Sequence, residues 1–358
     1  MACDRRIGGR ARRQQGFVLA LVLWMLAAIA IVAGLLTLWA LDAVGDAQED
    51  RLAVEQELAM FSTRDTLVYL AATRATTLAG LPVEPLDEEE RAMRGLEEFG
   101  ALRSDPIGGE LPLDGSVLAG LGGTRVALQD EAGLVSLVWP DANRLGLLLS
   151  RWGIPDGEAG RLRDTLLDYI DHDELRLLLG AERREYEQAG LPPPPNRRLL
   201  VPAELERVLQ WSELPRPVRE RIAAGATTFY AGPINLNTAP EAVLPLAIDG
   251  CPRACRALVE RRREEPFRNS AELQAALGVR LAGDPVVDYR YGPAETLRLT
   301  LWGDSGAARR IHVRLDPMAN GRPPWEFLAT YLVARPELDE SPRTIESALF
   351  ADAATGRP

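Results

Sequence analysis

The chain has 358 residues, 46% hydrophobic and 26% charged, a globular balance at a length that allows about two domains. A formal charge of −11 argues against a general polyanion-binding surface. All 41 basic residues are arginine, which excludes a P-loop lysine and Schiff-base chemistry, and two histidines and three cysteines are too few for a multi-histidine metal centre, a zinc ribbon or an iron–sulfur site.

Residues 1–16 (MACDRRIGGRARRQQG) carry five Arg and one Asp, a local charge of +4. Residues 17–41 then run for 25 positions without a charge. That is long enough to span a bilayer and too long for the apolar region of a cleaved secretory signal. The arginines on one side, against Asp42, Asp46, Glu49 and Asp50 on the other, predict a cytoplasmic N-terminus, with everything after residue 42 outside the cytoplasm. Gly16 stands at the border, directly before the apolar run at Phe17. This arrangement resembles type IV prepilin-like proteins, in which a dedicated peptidase cuts after the Gly and the new first residue is N-methylated. Such a cut would remove Cys3 and a leader of charge +4, taking the chain from −11 to −15. A plain signal anchor with a fortuitous Gly is the alternative. The fifth residue after the cut is Leu21, where most members of that class carry Glu. A carboxylate there neutralises a buried amino terminus on a neighbouring subunit, because an unpaired charge in apolar surroundings is costly. Leu21 cannot do this, which suits the end of a fibre better than its repeat.

The helix is expected to continue to about Thr77, roughly 90 Å at 1.5 Å per residue, and to stop at Leu81-Pro82. Residues 82–123 read as loop. GTRVALQD (123–130) and GLVSLVW (133–139) read as two strands joined by a turn at Glu131-Ala132. From about 141 to 280 the pattern is helical, broken by four prolines at 192–195, a stiff loop rather than a polyproline ligand. From about 295 strands return: TLRLTLWG and ARRIHVRLD around Asp304-Ser305-Gly306, then FLATYLVAR. The tail after Pro336 reads as weakly ordered. Residues 201–229 and 239–267 repeat a pattern of Pro, apolar segment, Pro-Arg turn and helix, so each predicts a helix-hairpin-helix-like pair.

Within the helical part, Asn237 or Thr238 is placed to cap a helix, with Pro240 in its first turn and Glu241 at the positive end of its dipole. A second capping signal follows at Ser270-Ala271-Glu272-Leu273. Cys251 and Cys255, four residues apart, are disulfide candidates in an oxidising compartment, at about 6 Å between Cα atoms if the segment is helical. Gly303-Asp304-Ser305-Gly306 imitates a serine-protease motif. Only His172 and His312 could serve it, and a hairpin turn explains the residues, so no catalytic residue is assigned.

The membrane anchor with the NLNTA segment resembles the competence DNA-receptor family. There the phosphate-binding turn is Gly-x-Gly; here it is Asp249-Gly250-Cys251-Pro252, which lacks the second Gly and loses a donor at the proline, although Arg256, Arg261, Arg262 and Arg263 follow. A second resemblance covers nearly the whole chain. The leader ending in Gly16, Leu21, LLDYIDHDE (166–174), GAERREYEQAGLPPPPN (180–196), VPAELERV (201–208), NLNTAPEAVL and EPFRNSAEL, and closing strands at 297–301 and 311–315 follow the order of the general secretion pathway protein K family, the minor pseudopilin K of type II secretion. GLVSLVWPD (133–141) departs from it where the family shows a strand leading into an Asn-rich turn. The resemblance implies an α+β fold: a long N-terminal transmembrane and stem helix on a small antiparallel sheet, with a large all-α, helix-hairpin-helix or SAM-like insertion between strands. The corresponding division is leader 1–16, membrane helix 17–41, stem 42–78, first part of the head 79–140, insertion 141–290, closing strands 291–335 and tail 336–358. It implies a tip subunit in the bacterial inner membrane with a periplasmic head. The partners implied are minor pseudopilins I, J and H, the prepilin peptidase, and secreted cargo or the secretin, with no nucleic acid. Family members bind calcium in the insertion, which makes Asp168, Asp171, Asp173 and Glu182 candidate ligands and Glu185 an extra one. Asp171 and Glu182 fit positions 1 and 12 of an EF-hand, but Arg176 stands where Gly is required, and a solvated, helix-capping acidic turn explains the same residues.

Overall fold

The computed structural model describes residues 15–84, 88, 105–138, 142–304, 306–316, 319–336 and 348–351. The leader ahead of Gln15, with Cys3, lies outside them, as do Trp139 to Asp141 and Ser305. The chain divides into two compact units, Met1–Glu57 and Leu58–Pro358.

The first unit is described as the greater part of helix α1 (Gln15–Thr73). It holds no proline, and its best window reaches a mean hydropathy of 2.8, long and apolar enough to cross a membrane. Gly16 and Phe17 fall in its first turn, and Leu21 projects from it exposed, as do its apolar neighbours.

In the second unit, the last turns of α1 cover a five-stranded antiparallel sheet of order β1-β2-β7-β8-β9. The strands are β1 (Asp114–Ala119), β2 (Arg125–Asp130), β7 (Thr296–Trp302), β8 (Ala308–Leu315) and β9 (Trp325–Val333). Leu67, Val68 and Ala71 of α1 pack with Leu118, Val126, Leu128, Leu299, Ile311 and Val313, the alternate residues of four strands. The three closing strands lie where their alternation predicts. β1 instead falls inside the stretch read as loop: DGSVLA is short and starts on Asp-Gly, so its strand character comes from pairing with β2 rather than from propensity. The tail is ordered at residues 348–351, where α8 (Ala348–Ala351) buries Phe350 in the sheet core.

The expected hairpin between 123–130 and 133–139 does not form. β2 ends at Asp130, a single 3-10 turn (Glu131–Gly133) follows, and β3 (Val135–Ser136) pairs in parallel with β4 (Ala226–Thr227). The true partner of β2 is β7, in register from Arg125↔Trp302 to Asp130↔Leu297. Adjacent strands therefore bracket the whole insertion, whose helices are α2 (Ala142–Arg151), α3 (Asp156–Ile170), α4 (Arg183–Gln188), α5 (Arg216–Gly225), α6 (Arg253–Glu264) and α7 (Ser270–Leu277). It carries a second short parallel ladder, β5 (Ile234–Asn235) with β6 (Tyr289–Arg290). It has two cores: one around Leu149, Trp152, Leu166, Tyr186 and Trp211, the other around Leu236, Val243, Leu258, Phe267 and Leu273.

Neither repeat is a regular helical hairpin. In each the first helix is replaced by 3-10 turns, at Pro202–Arg207 and at Leu244–Leu246. Pro245 sits in the middle of the second segment, where it lacks an N–H and crowds the preceding turn.

Candidate functional site

Two buried polar groupings join the insertion to the sheet, and a third grouping, of carboxylates, lies within the insertion.

The first is built on Asp130, at the end of β2. Its Oδ2 accepts from Asn235 Nδ2 and Thr238 Oγ1, each at 2.8 Å, and its Oδ1 accepts from the N–H groups of Ala132 and Ala294 at 3.0 Å. Burial pushes its carboxyl up, against the pull of these four donors. Asn237, expected as a helix cap, clamps two strands of chain: Nδ2 donates to the carbonyls of Phe267 (2.7 Å) and Tyr291 (2.9 Å), and Oδ1 accepts from Phe267 N–H (3.0 Å). Thr238 also serves Asp130 rather than a helix end. Arg262, one of the four arginines that follow the altered turn, is buried. It donates to the carbonyls of Leu236 (2.9 Å) and Ala239 (2.7 Å) and pairs with Asp114 of β1 at 3.3 Å. The NLNTA segment is therefore a knot between sheet and insertion. Its sequence signal is the alternation in Ile234-Asn235-Leu236-Asn237, which points the two Asn side chains away from the leucine.

The second grouping is Glu131 with His312 of β8. His312 Nδ1 meets Glu131 Oε1 at 2.5 Å, its Nε2 meets the Tyr331 hydroxyl at 2.9 Å, and Phe229 of the insertion stacks on its ring at 4.0 Å. Burial works against the Glu131 charge, but the hydrogen bond and charge of His312 hold its carboxyl below the usual range. Both ring nitrogens of His312 are engaged, so neither is free to activate a nucleophile.

The third grouping follows α3. Asp168, Asp171 and Glu182 each bring a carboxylate oxygen within 4.8 Å of the others. Asp168 projects from the last turn of α3, Asp171 caps it, and Glu182 stands just before α4. Gly180 makes the approach possible, since a Cβ there would lie 1.9 Å from Asp168 Oδ2. Asp168 accepts from Leu177 N–H at 3.2 Å. Glu182 is only 4% exposed, yet neither of its carboxylate oxygens has a hydrogen-bond partner, and Asp171 Oδ1 is also unpartnered. Burial, then the neighbouring carboxylates, pushes Glu182 up to about 7; burial chiefly pushes Asp168 up to about 6 and raises Asp171 as well. Three converging carboxylates, two of them with unpartnered oxygens, fit a hard divalent cation. The other two expected ligands are turned elsewhere. Asp173 Oδ1 accepts from Leu175 N–H at 2.7 Å, and Glu185 accepts from Glu182 N–H at 3.1 Å. Gly180→Ala is expected to force the Asp168 carboxylate out of the cluster and lower the melting temperature; an unchanged melt contradicts the packing.

Cys251 and Cys255 are bonded across the start of α6, with Cα atoms 5.1 Å apart.

One long N-terminal apolar helix, a five-stranded antiparallel sheet and an inserted helical region make up a mixed α+β protein whose apolar helix fits a single-pass membrane anchor. Two family models, both described as type II secretion system (T2SS), protein K, match residues 136–216 and 234–288. A chain of the crystal structure of the GspK-GspI-GspJ complex from the enterotoxigenic Escherichia coli type 2 secretion system is similar at 18% identity and a TM-score of 0.46, over 60% of this chain and 81% of that one. No curated protein sequence matches. Residues 136–216 and 234–288 are thus similar to type II secretion system protein K, and this likeness supports a pseudopilin role in type II secretion.

Proposed function

We propose that this pseudopilin occupies the tip of the pseudopilus, caps it and starts its assembly for export across the outer membrane. The observation that carries the reading is Leu21, an apolar residue at the fifth position after Gly16, where a subunit repeating along the fibre needs a carboxylate. The insertion of about 160 residues between β2 and β7 supports it, because so large a head suits an end better than a lattice position. On this reading the prepilin peptidase removes residues 1–16, Phe17 is N-methylated, the helix spans the inner membrane with its N-terminus cytoplasmic, and the head lies in the periplasm. Minor pseudopilins I, J and H are the partners along the stem, with secreted cargo or the secretin at the head. The internal pairing of Arg262 and the altered turn at Asp249 support this over a competence-type DNA receptor.

The carboxylate cluster is proposed to hold calcium through Asp168, Asp171 and Glu182. The bound ion would supply positive charge to three crowded carboxylates and stiffen the turn between α3 and α4.

Labelling the head on overproduced pseudopili tests the tip assignment. Wild-type protein is expected at one end of each fibre, and Leu21→Glu along its length. End-labelling by both, or wild-type labels along the shaft, contradicts it.

A further inference from the structure

His312 is fully buried where the sheet meets the insertion, and its hydrogen bonds run in one direction. Its Nδ1 lies 2.5 Å from Glu131 Oε1 in the turn after β2, and that carboxyl is held in its charged form, so Nδ1 carries the proton and donates. Nε2 then accepts from the Tyr331 hydroxyl of β9 at 2.9 Å, and the Tyr331 oxygen accepts from Arg310. The set is complete with a neutral imidazole. A second proton, on Nε2, would face the Tyr331 hydrogen, and turning that hydrogen away costs it its acceptor. The charges oppose the proton as well. Glu131 faces the ring as an anion, but Arg298 of β7 and Arg310 of β8 face it as cations, and Arg298, though brought down to about 10 by burial, is charged at neutral pH. An imidazolium would be a third cation beside one carboxylate. Burial, helped by the two arginines, holds His312 below the ordinary 6.5 against the pull of Glu131. The ring also touches the insertion directly: Phe229 stacks on it at 4.0 Å, and the Glu131 turn is where the chain leaves the sheet for the insertion.

We propose that His312 is an acid-sensitive latch between the insertion and the sheet, closed while its imidazole is neutral and released when Nε2 takes a proton. The folded value is the lower one, so the latch contributes fully above the ordinary 6.5 and is lost as pH falls through the folded value. The carboxylate cluster responds in the opposite sense and through two groups, Asp168 and Glu182. A melt of the whole chain therefore follows the cluster, and the latch has to be read locally.

The test uses the full-length chain in detergent and has two readouts. With histidine labelled in nitrogen-15, NMR reports the tautomer of His312, whose signal is the one lost in His312→Asn and His312→Gln. The expected form at pH 7 is neutral with the proton on Nδ1, and it is still neutral at about pH 6, below the ordinary value. Hydrogen exchange then follows the amides of Leu134 and Phe229, which are bonded to the Glu131 carbonyl at 3.2 Å and the Thr227 hydroxyl at 3.0 Å. Corrected for the intrinsic pH dependence of exchange, it is expected to accelerate at least about tenfold from pH 7 to pH 5 in the wild type, and not in His312→Asn or His312→Gln, which are neutral at every pH. A His312 that is charged at pH 7, or neutral with its proton on Nε2, overturns the proposal. So does exchange that stays flat in the wild type or accelerates equally in the variants. If neither variant folds, the wild-type tautomer and exchange profile decide.

Discussion

Asp130→Ala is expected to destabilise the head by at least about 3–5 kcal/mol, the loss seen when one partner of a buried charged network is removed. Asp130 is fully buried and serves four donors from three separate parts of the chain: Ala132 beside it, Asn235 and Thr238 in the insertion, and Ala294 before β7. Truncation removes the acceptor of all four, and only the Thr238 hydroxyl keeps another, the Asn235 carbonyl at 3.5 Å. Asp130→Asn keeps the volume but turns a donor toward donors, so it should fall between Ala and wild type. Thermal or urea unfolding of the full-length protein in detergent, followed by tryptophan fluorescence, reads this. A loss under about 1 kcal/mol for Asp130→Ala would mean that the knot contributes no more than ordinary surface contacts.

The second large effect concerns pH and calcium together. Glu182 and Asp168 titrate at about 7 and about 6 in the folded chain, against ordinary values of 4.5 and 3.8. A carboxyl whose folded value is raised favours folding while protonated. Its contribution is complete below the unfolded value and is lost as pH rises through the folded one. Without a divalent cation, the melting temperature should therefore fall as pH climbs from about 4 to about 7. Calcium should reverse the fall above about pH 7, where Asp168 and Glu182 are ionised, and do little near pH 4, since ligands must be deprotonated to bind. At a hundredfold excess over its dissociation constant the ion adds about 2.7 kcal/mol. Glu182→Gln should remove the upper part of the pH dependence and most of the calcium response. If the variant keeps both, the cluster is a solvated acidic turn and not a metal site.

The sequence shows the outline of this molecule better than its joints. The apolar run from residue 17 and the three closing strands are legible because length and period-two alternation are local properties. The helix ends at Thr73, four residues short of the end expected at about Thr77 and well before Pro82. β1 and the true partner of β2 are not legible, since β2 meets β7 across the whole insertion. The same holds for the polar groupings. Asn235 reaches Asp130 over 105 residues and His312 reaches Glu131 over 181, so nothing local distinguishes these residues from caps and turn formers. The acidic cluster is partly legible: Asp168, Asp171 and Glu182 come together, while Asp173 and Glu185 serve backbone N–H groups. Proximity in sequence puts those two beside the cluster but does not report the direction of a side chain.

Whether the chain matures as a pseudopilin is read most directly from the intact mass of the protein extracted from membranes after co-expression with a prepilin peptidase. Maturation as a pseudopilin gives a chain that begins at Phe17, lighter by residues 1–16 and heavier by one methyl group. A chain that keeps its N-terminus beside an active peptidase would contradict it.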